Sequence, residues 1–254
     1  MRNNFENVSS LVKKMDLHIH TIFSDGSVTI PQLLHVLKVK NLTLAAVTDH
    51  YSEYIRIKNR MFGIELVGYL DALKGTGLLK GVEAEIFGDG SISIPKQRSA
   101  MCDFILGGIH SLDGINFWRD LQPILNPSRY VERIRIALEA AMERQIIDVL
   151  VHVTWLPEAI RSQSKKLVTR EWMKSLINTA LDNNVAIELS GAWEVPNVEF
   201  VRLCLKQGVK VSVGSDAHTV KEIGNVVYPL KVLNLVKVNV EDLFIPKRKN
   251  SVIL

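Results

Sequence analysis

Asp16-Leu17-His18-Ile19-His20-Thr21-Ile22-Phe23-Ser24-Asp25-Gly26 runs from an alternating apolar segment into a turn. In an extended strand, residues two apart share a face, so His18 and His20 present their imidazoles side by side to one cation. Asp25 follows in a turn that can fold its carboxylate back over the same opening. Six of the seven histidines fall in short clusters of this kind, and the leading expectation is a metal site.

The other clusters repeat the arrangement. Apolar runs end in Thr48-Asp49-His50, Gly81-Val82-Glu83-Ala84-Glu85, Gly107-Gly108-Ile109-His110, Val149-Leu150-Val151-His152 and Gly214-Ser215-Asp216-Ala217-His218. Each ligand-type residue stands where a strand would stop, which is where parallel sheets and barrels place their chemistry. His35 is the exception: it falls inside a helical pattern and is assigned no role.

Between these clusters, strands and helices alternate. Strands are expected at 14–19, 42–47, 78–86, 103–109, 147–151, 185–189 and 209–213. A helix with Pro31 in its first turn carries Leu33, Leu34 and Leu37 on one side, and others are expected at 64–73, 129–144, 172–181 and 197–206. Gly88-Asp89-Gly90, with 91–94 after it, reads as a hairpin return and the one antiparallel intrusion. At 254 residues the chain suits one large domain, read as an extension over 1–13 followed by a single barrel over 14–254.

Composition narrows the class. A formal charge of +4, from 31 basic and 27 acidic residues, permits an anionic substrate without indicating stable nucleic-acid binding. Cys102 and Cys204 are too far apart for a disulfide framework or a thiolate zinc finger. Residues 1–14 lack a signal-peptide apolar core, and no apolar run is long enough to span a bilayer. The expectation is a cytoplasmic enzyme without a membrane partner.

His18-Ile-His20-Thr-Ile-Phe-Ser24-Asp25-Gly26, Thr48-Asp49-His50, Gly81-Val-Glu83, Ile109-His110, Val151-His152 and Gly214-Ser-Asp216-Ala-His218 resemble the motif regions of the polymerase and histidinol phosphatase (PHP) superfamily, in the same order. The resemblance implies an α/β fold, a distorted (β/α)7 TIM-like barrel of parallel strands with its metal site at their C-terminal ends. It also implies a trinuclear centre. His18, His20, Glu83 and Asp216 would hold one metal; Glu83, His110 and His152 a second, so that Glu83 bridges; Asp25, His50 and His218 the third.

Imidazoles and carboxylates without thiolates suit zinc, manganese or iron in sites that keep positions open for water and substrate. Two such ions sharing a carboxylate can hold a hydroxide between them at neutral pH, ready to attack phosphorus. The expected activity is therefore metal-dependent hydrolysis of a phosphomonoester, with Glu83, Asp216 and Asp25 as the catalytic carboxylates. Asp49 and Glu85 are read as supports for neighbouring ligands or as solvent-facing groups.

Substrate residues are less sharply marked. Arg56, Lys58 and Arg60 leave the expected barrel mouth together and are candidates for clamping phosphate. Lys96 and Arg98 are similar, while Lys247-Arg248-Lys249 reads as a solvated tail. Trp155 and Trp193, each shortly after a strand, are candidates for lining a pocket for a base or ring.

His110-Ser-Leu-Asp-Gly114 and Ile147-Asp148-Val-Leu-Val-His152 are similar to the histidinol phosphatase branch. That branch, however, commonly places a phosphate-binding arginine where Ser190-Gly191-Ala192 is here followed by Trp193. Histidinol phosphate, a nucleotide or an oligonucleotide end thus remain open as substrates. The amidohydrolases, which also begin with His-Xaa-His but bridge their metals with a modified lysine, are the competing enzyme class.

Overall fold

The computed structural model describes residues 2–249, with side chains from residue 7 onward. Seven parallel strands form a nearly closed barrel: β1 (Met15–Asp16), β2 (Leu44–Val47), β3 (Leu79–Glu85), β4 (Phe104–Gly108), β5 (Val149–Leu150), β6 (Ala186–Ser190) and β7 (Val211–Gly214). Each pairs with the next in chain order, for instance Gly81 with Phe104 in β3–β4 and Ile187 with Val211 in β6–β7. Beyond Asp16 the chain stays extended and closes the ring: Leu17 N–H donates to Val213 O at 3.0 Å and His20 N–H to Ala217 O at 2.8 Å. His18 and His20 therefore leave β1 between two partners, which fixes their common direction.

The main outer helices are α1 (Arg2–Val12), α2 (Ile30–Val39), α3 (Glu65–Ala72), α4 (Pro127–Glu143), α5 (Arg170–Asp182), α6 (Val198–Gln207) and α7 (Val227–Val236). Their starts follow from local chemistry. Thr29 caps α2 reciprocally with Gln32, Pro31 sits in its first turn, and Asn126, Thr169 and Asn197 cap α4, α5 and α6. Leu33, Val36 and Leu37 bury one face of α2, while His35 is exposed. The stretch expected as an N-terminal extension is helical, and Val8 and Val12 enter the same apolar core as the barrel.

Two expectations are corrected. The 86–94 return is reduced to a single antiparallel bridge, Ile86 with Ile92, because Asp89 turns its carboxylate onto the Ser91 N–H and hydroxyl and closes a tight local turn. The regular hairpin instead joins Ser111–Leu112 to Ile115–Asn116, directly after His110, with Asp113 and Gly114 both at positive φ. The basic segment near the C-terminus is exposed, as a solvated tail would be, but it is anchored. Phe244 N–H donates to Val211 O at 2.8 Å, Arg248 to Gly77 O, and Lys249 N–H to Asp103 at 2.7 Å, strapping the segment across the barrel floor. No described helix is long and apolar enough to cross a membrane.

Candidate metal centre

Every barrel strand delivers a polar side chain to the same end. His18 and His20 follow β1, His50 follows β2, Glu83 and Glu85 lie in β3, His110 follows β4, His152 follows β5, Glu188 lies in β6, and Asp216 and His218 follow β7. All of these except His218 are buried, among strands whose other residues are mostly apolar.

Glu83 is the hub. Its Oε2 lies 3.3 Å from both His18 Nε2 and His20 Nε2 and 3.1 Å from His50 Nδ1. Its Oε1 lies 3.1 Å from His110 Nε2 and 3.0 Å from His152 Nε2. One carboxylate thus faces two imidazole sets with different oxygens. Asp216 Oδ1 completes the first set, 3.4 Å from His18 Nε2 and 3.1 Å from His20 Nε2, while those two nitrogens are 3.0 Å apart.

These distances test whether a metal fits. A tetrahedron with ligand bonds of about 2.1 Å has edges of about 3.4 Å, and the His18, His20, Glu83 and Asp216 contacts run from 3.0 to 3.4 Å. Clustered imidazole nitrogens lacking good donor–acceptor partners point the same way: His20 Nδ1 and His50 Nδ1 are buried without a hydrogen bond. Both belong to groups compact enough to hold a cation, His20-Asp25-His50-His218 and His50-Glu83-His110.

Asp25, about a third exposed, sits at the lip. It lies 3.3 Å from His218 Nε2, 3.7 Å from His50 Nε2 and 3.8 Å from His20 Nδ1. His50 therefore stands between the Glu83 set and the Asp25 set, one nitrogen toward each.

Electrostatics follow from this packing. Burial opposes ionisation of Glu83, but His50, His110 and His18 hold its carboxyl well below the usual range. Burial likewise opposes charge on Asp216, and His18 and His20 overcome it. His20 is pushed up to about 10 against its own burial by Asp216 and Glu83, and His110 up to about 9 by Glu85 and Glu83. His50 moves the other way, well below its ordinary value, because burial and the nearby Arg60 disfavour its charge. The imidazoles and carboxylates compensate one another, as in a site built for cations.

Glu188 is the residue the sequence reading missed. Fully buried, it sets one oxygen 2.6 Å from His18 Nδ1 and accepts the His152 N–H at 3.0 Å with the other. The only signal in the sequence is an acid between Ile187 and Leu189 in an otherwise apolar strand. Glu85 does the same for His110, 3.0 Å from its Nδ1 and accepting its N–H at 3.0 Å. Asp49 accepts from the Thr21 N–H and hydroxyl and from Ser24, pinning the turn that carries Asp25. Outer carboxylates of this kind fix the ring orientation of metal-ligating histidines.

A cavity of about 580 Å³ opens over the centre, lined among others by Lys58, Arg60, Trp118, Arg119 and Trp193. Arg60 lies 2.7 Å from Glu85. Arg56 points away, over the Phe62 ring and 3.7 Å from Glu65, and Arg98 is 3.4 Å from Glu53. Trp193 is on the wall, whereas Trp155 does not line the cavity; it lies 4.4 Å from Trp193 between ring centroids, with Arg161 stacked on it. Trp118, not singled out in the sequence, stacks on His110 at 5.1 Å.

A PHP domain model matches residues 16–192 of the chain. The chain belongs to the PHP domain family. Among its relatives are a probable phosphatase of Proteus mirabilis (strain HI4320), 24% identical over 229 residues covering 86% of this chain and 84% of the relative, and a probable phosphatase of Syntrophotalea carbinolica, 27% identical and covering 89% of both. The DNA polymerase/3'-5' exonuclease PolX of Bacillus subtilis (strain 168) is 27% identical over 217 residues, but this chain spans only 35% of its length. The fold is shared with the histidinol phosphate phosphatase of Lactococcus lactis, solved with zinc, L-histidinol and phosphate. The TM-score is 0.64 at 13% identity, covering 88% of this chain and 94% of that one. Family and phosphatase relatives together make this PHP protein a metal-dependent phosphoesterase.

Proposed function

We propose that this PHP phosphoesterase hydrolyses small phosphomonoesters at a centre of three divalent ions. His18, His20, Glu83 and Asp216 would hold the first, Glu83, His110 and His152 the second, and Asp25, His50 and His218 the third. The observation that carries this reading is the division of the Glu83 oxygens between two imidazole sets, each within 3.3 Å. Divalent ions bound there would lower the pKa of a coordinated water toward neutrality and neutralise phosphoryl charge. Zinc, manganese and iron all suit this donor set.

The chain's own residues would do the rest. Burial opposes charge on Asp25, but hydrogen bonding to His218 and the charge of His20 hold its carboxyl below its ordinary range, which suits an anionic ligand rather than a proton donor. Lys58 and Arg119 line the cavity, and among the described residues neither makes an ion pair, leaving their charge for a phosphate. Arg60, held by Glu85, would act as a fixed positive wall. The cavity volume falls in the range of small-molecule sites, about 300–1,000 Å³, which favours a phosphomonoester or mononucleotide over a long polymer.

The test is phosphate release from histidinol phosphate, mononucleotides, bisphosphorylated nucleotides and short oligonucleotides, with amides and lactones alongside. Release from terminal monoesters is expected. Hydrolysis of an amide or lactone without any phosphate ester would move the protein to amidohydrolase chemistry.

A further inference from the structure

Trp193 occupies the place at which the resembling branch carries a phosphate-binding arginine, and the structure gives it a different task. Its indole Nε1–H donates to Asp216 Oδ2 at 2.5 Å, while Asp216 Oδ1 faces His18 and His20. Asp216 has a left-handed backbone, φ 56°, a conformation a non-glycine residue keeps only when its surroundings hold it.

The holding elements are visible. Residues 190–193 lie along 214–216, with Gly191 N–H donating to Gly214 O at 2.8 Å and Ala192 N–H to Ser215 O at 3.2 Å. A Cβ on Gly191 would fall 1.7 Å from Asn225 O, so the approach of this segment to residue 225 requires glycine. Trp193 packs in a cluster with Trp155, at 4.4 Å, and Trp118, at 5.6 Å.

We propose that Trp193 is a positioning residue: its indole N–H fixes the outer oxygen of Asp216 and so presents the inner oxygen as a single-point metal ligand. This rests on the reading of Asp216 as a ligand.

The experiment measures Zn2+ affinity and stoichiometry by chelator competition in wild-type protein, Trp193→Phe, Asp216→Asn, the double variant and Trp155→Phe. Trp193→Phe keeps an aromatic side chain but loses the five-membered ring and its N–H; Trp155→Phe makes the same loss of volume without touching Asp216. Trp193→Phe is expected to weaken one zinc about 10–100-fold, the usual effect of losing an outer-shell partner, and to leave the unfolding temperature of the metal-free protein close to wild type. In the Asp216→Asn background the same change should do nothing further, and Trp155→Phe should bind as wild type. The Trp193 indole N–H resonance, assigned by its loss in Trp193→Phe, should shift when Zn2+ is added.

An unchanged affinity in Trp193→Phe, the same loss in both backgrounds, or a Trp193 indole resonance indifferent to zinc would overturn the proposal. If Asp216→Asn keeps the full zinc complement, the ligand reading fails as well; if it loses zinc while Trp193→Phe does not, only the positioning role fails.

Discussion

Replacing Glu188 with Ala removes the acceptor from two buried donors at once. Its Oε1 is 2.6 Å from His18 Nδ1 and its Oε2 accepts the His152 N–H at 3.0 Å, in a side chain only 1% exposed. Each buried donor left without an acceptor costs about 1–3 kcal/mol, so the pair costs roughly 2–6 kcal/mol. That is a large part of the about 5–15 kcal/mol by which a domain is stable. Gln at this position keeps the volume but offers one acceptor oxygen where two donors converge, so one of them meets an N–H instead, for about 1–3 kcal/mol. His152 has φ 35°, and its backbone bond to Glu188 helps hold that conformation. Urea unfolding of chelator-treated protein should rank wild type above Glu188→Gln and Glu188→Ala lowest. Zinc affinity of the Gln variant should fall about 10–100-fold. Equal midpoints for wild type and Glu188→Ala, or wild-type zinc affinity in Glu188→Gln, would refute the reasoning.

Other perturbations reach other parts of the account. His20 and His110 sit above their ordinary value, at about 10 and about 9. The stability they contribute to metal-free protein is therefore fully present below about pH 6.5 and lost as pH rises through those values. Zinc-loaded protein needs neutral imidazoles, so its melting temperature should not share that loss; metal-free protein that gains stability from pH 7 to 10 would contradict this. Burial pushes the Cys102 thiol up to about 12 and raises Cys204 as well. Neither should react with a thiol reagent at pH 8 until denaturant is added, and rapid labelling in native buffer would argue against their burial. Gly191→Ala must displace the Asn225 carbonyl and should lower stability by about 3 kcal/mol in thermal unfolding, whereas a neutral effect would mean the Asn225 carbonyl does not lie against Gly191 as described.

The proposed ligand positions were legible because parallel strands leave a mark: an apolar run ends, and a polar residue stands at the end. That mark located His18, His20, His50, His110, His152 and Asp216, while Glu83 lies within β3 and was picked out with Glu85 from Gly81-Val82-Glu83-Ala84-Glu85. Glu188 escaped because it lies inside β6, where only the direction of one side chain, set by pairing with both β5 and β7, turns it toward the centre. Arg56 and Arg60 look alike in sequence and differ in the fold because Glu85 holds one while Phe62 and Glu65 flank the other. The hairpin after His110 was missed because its strands are two residues long, too short to show a period. The strap over 244–249 was missed because its anchors, Gly77, Asp103 and Val211, are remote in sequence.

The central claim is that Glu83 joins two metal positions. Elemental analysis of protein purified without chelator tests it most directly, with Glu83→Gln measured in parallel. The account predicts about three divalent ions per wild-type chain and the loss of at least one in the variant, with its circular dichroism unchanged. A stably folded wild-type protein that takes up no divalent ion when offered one, or a Glu83→Gln protein with the full complement, would contradict it.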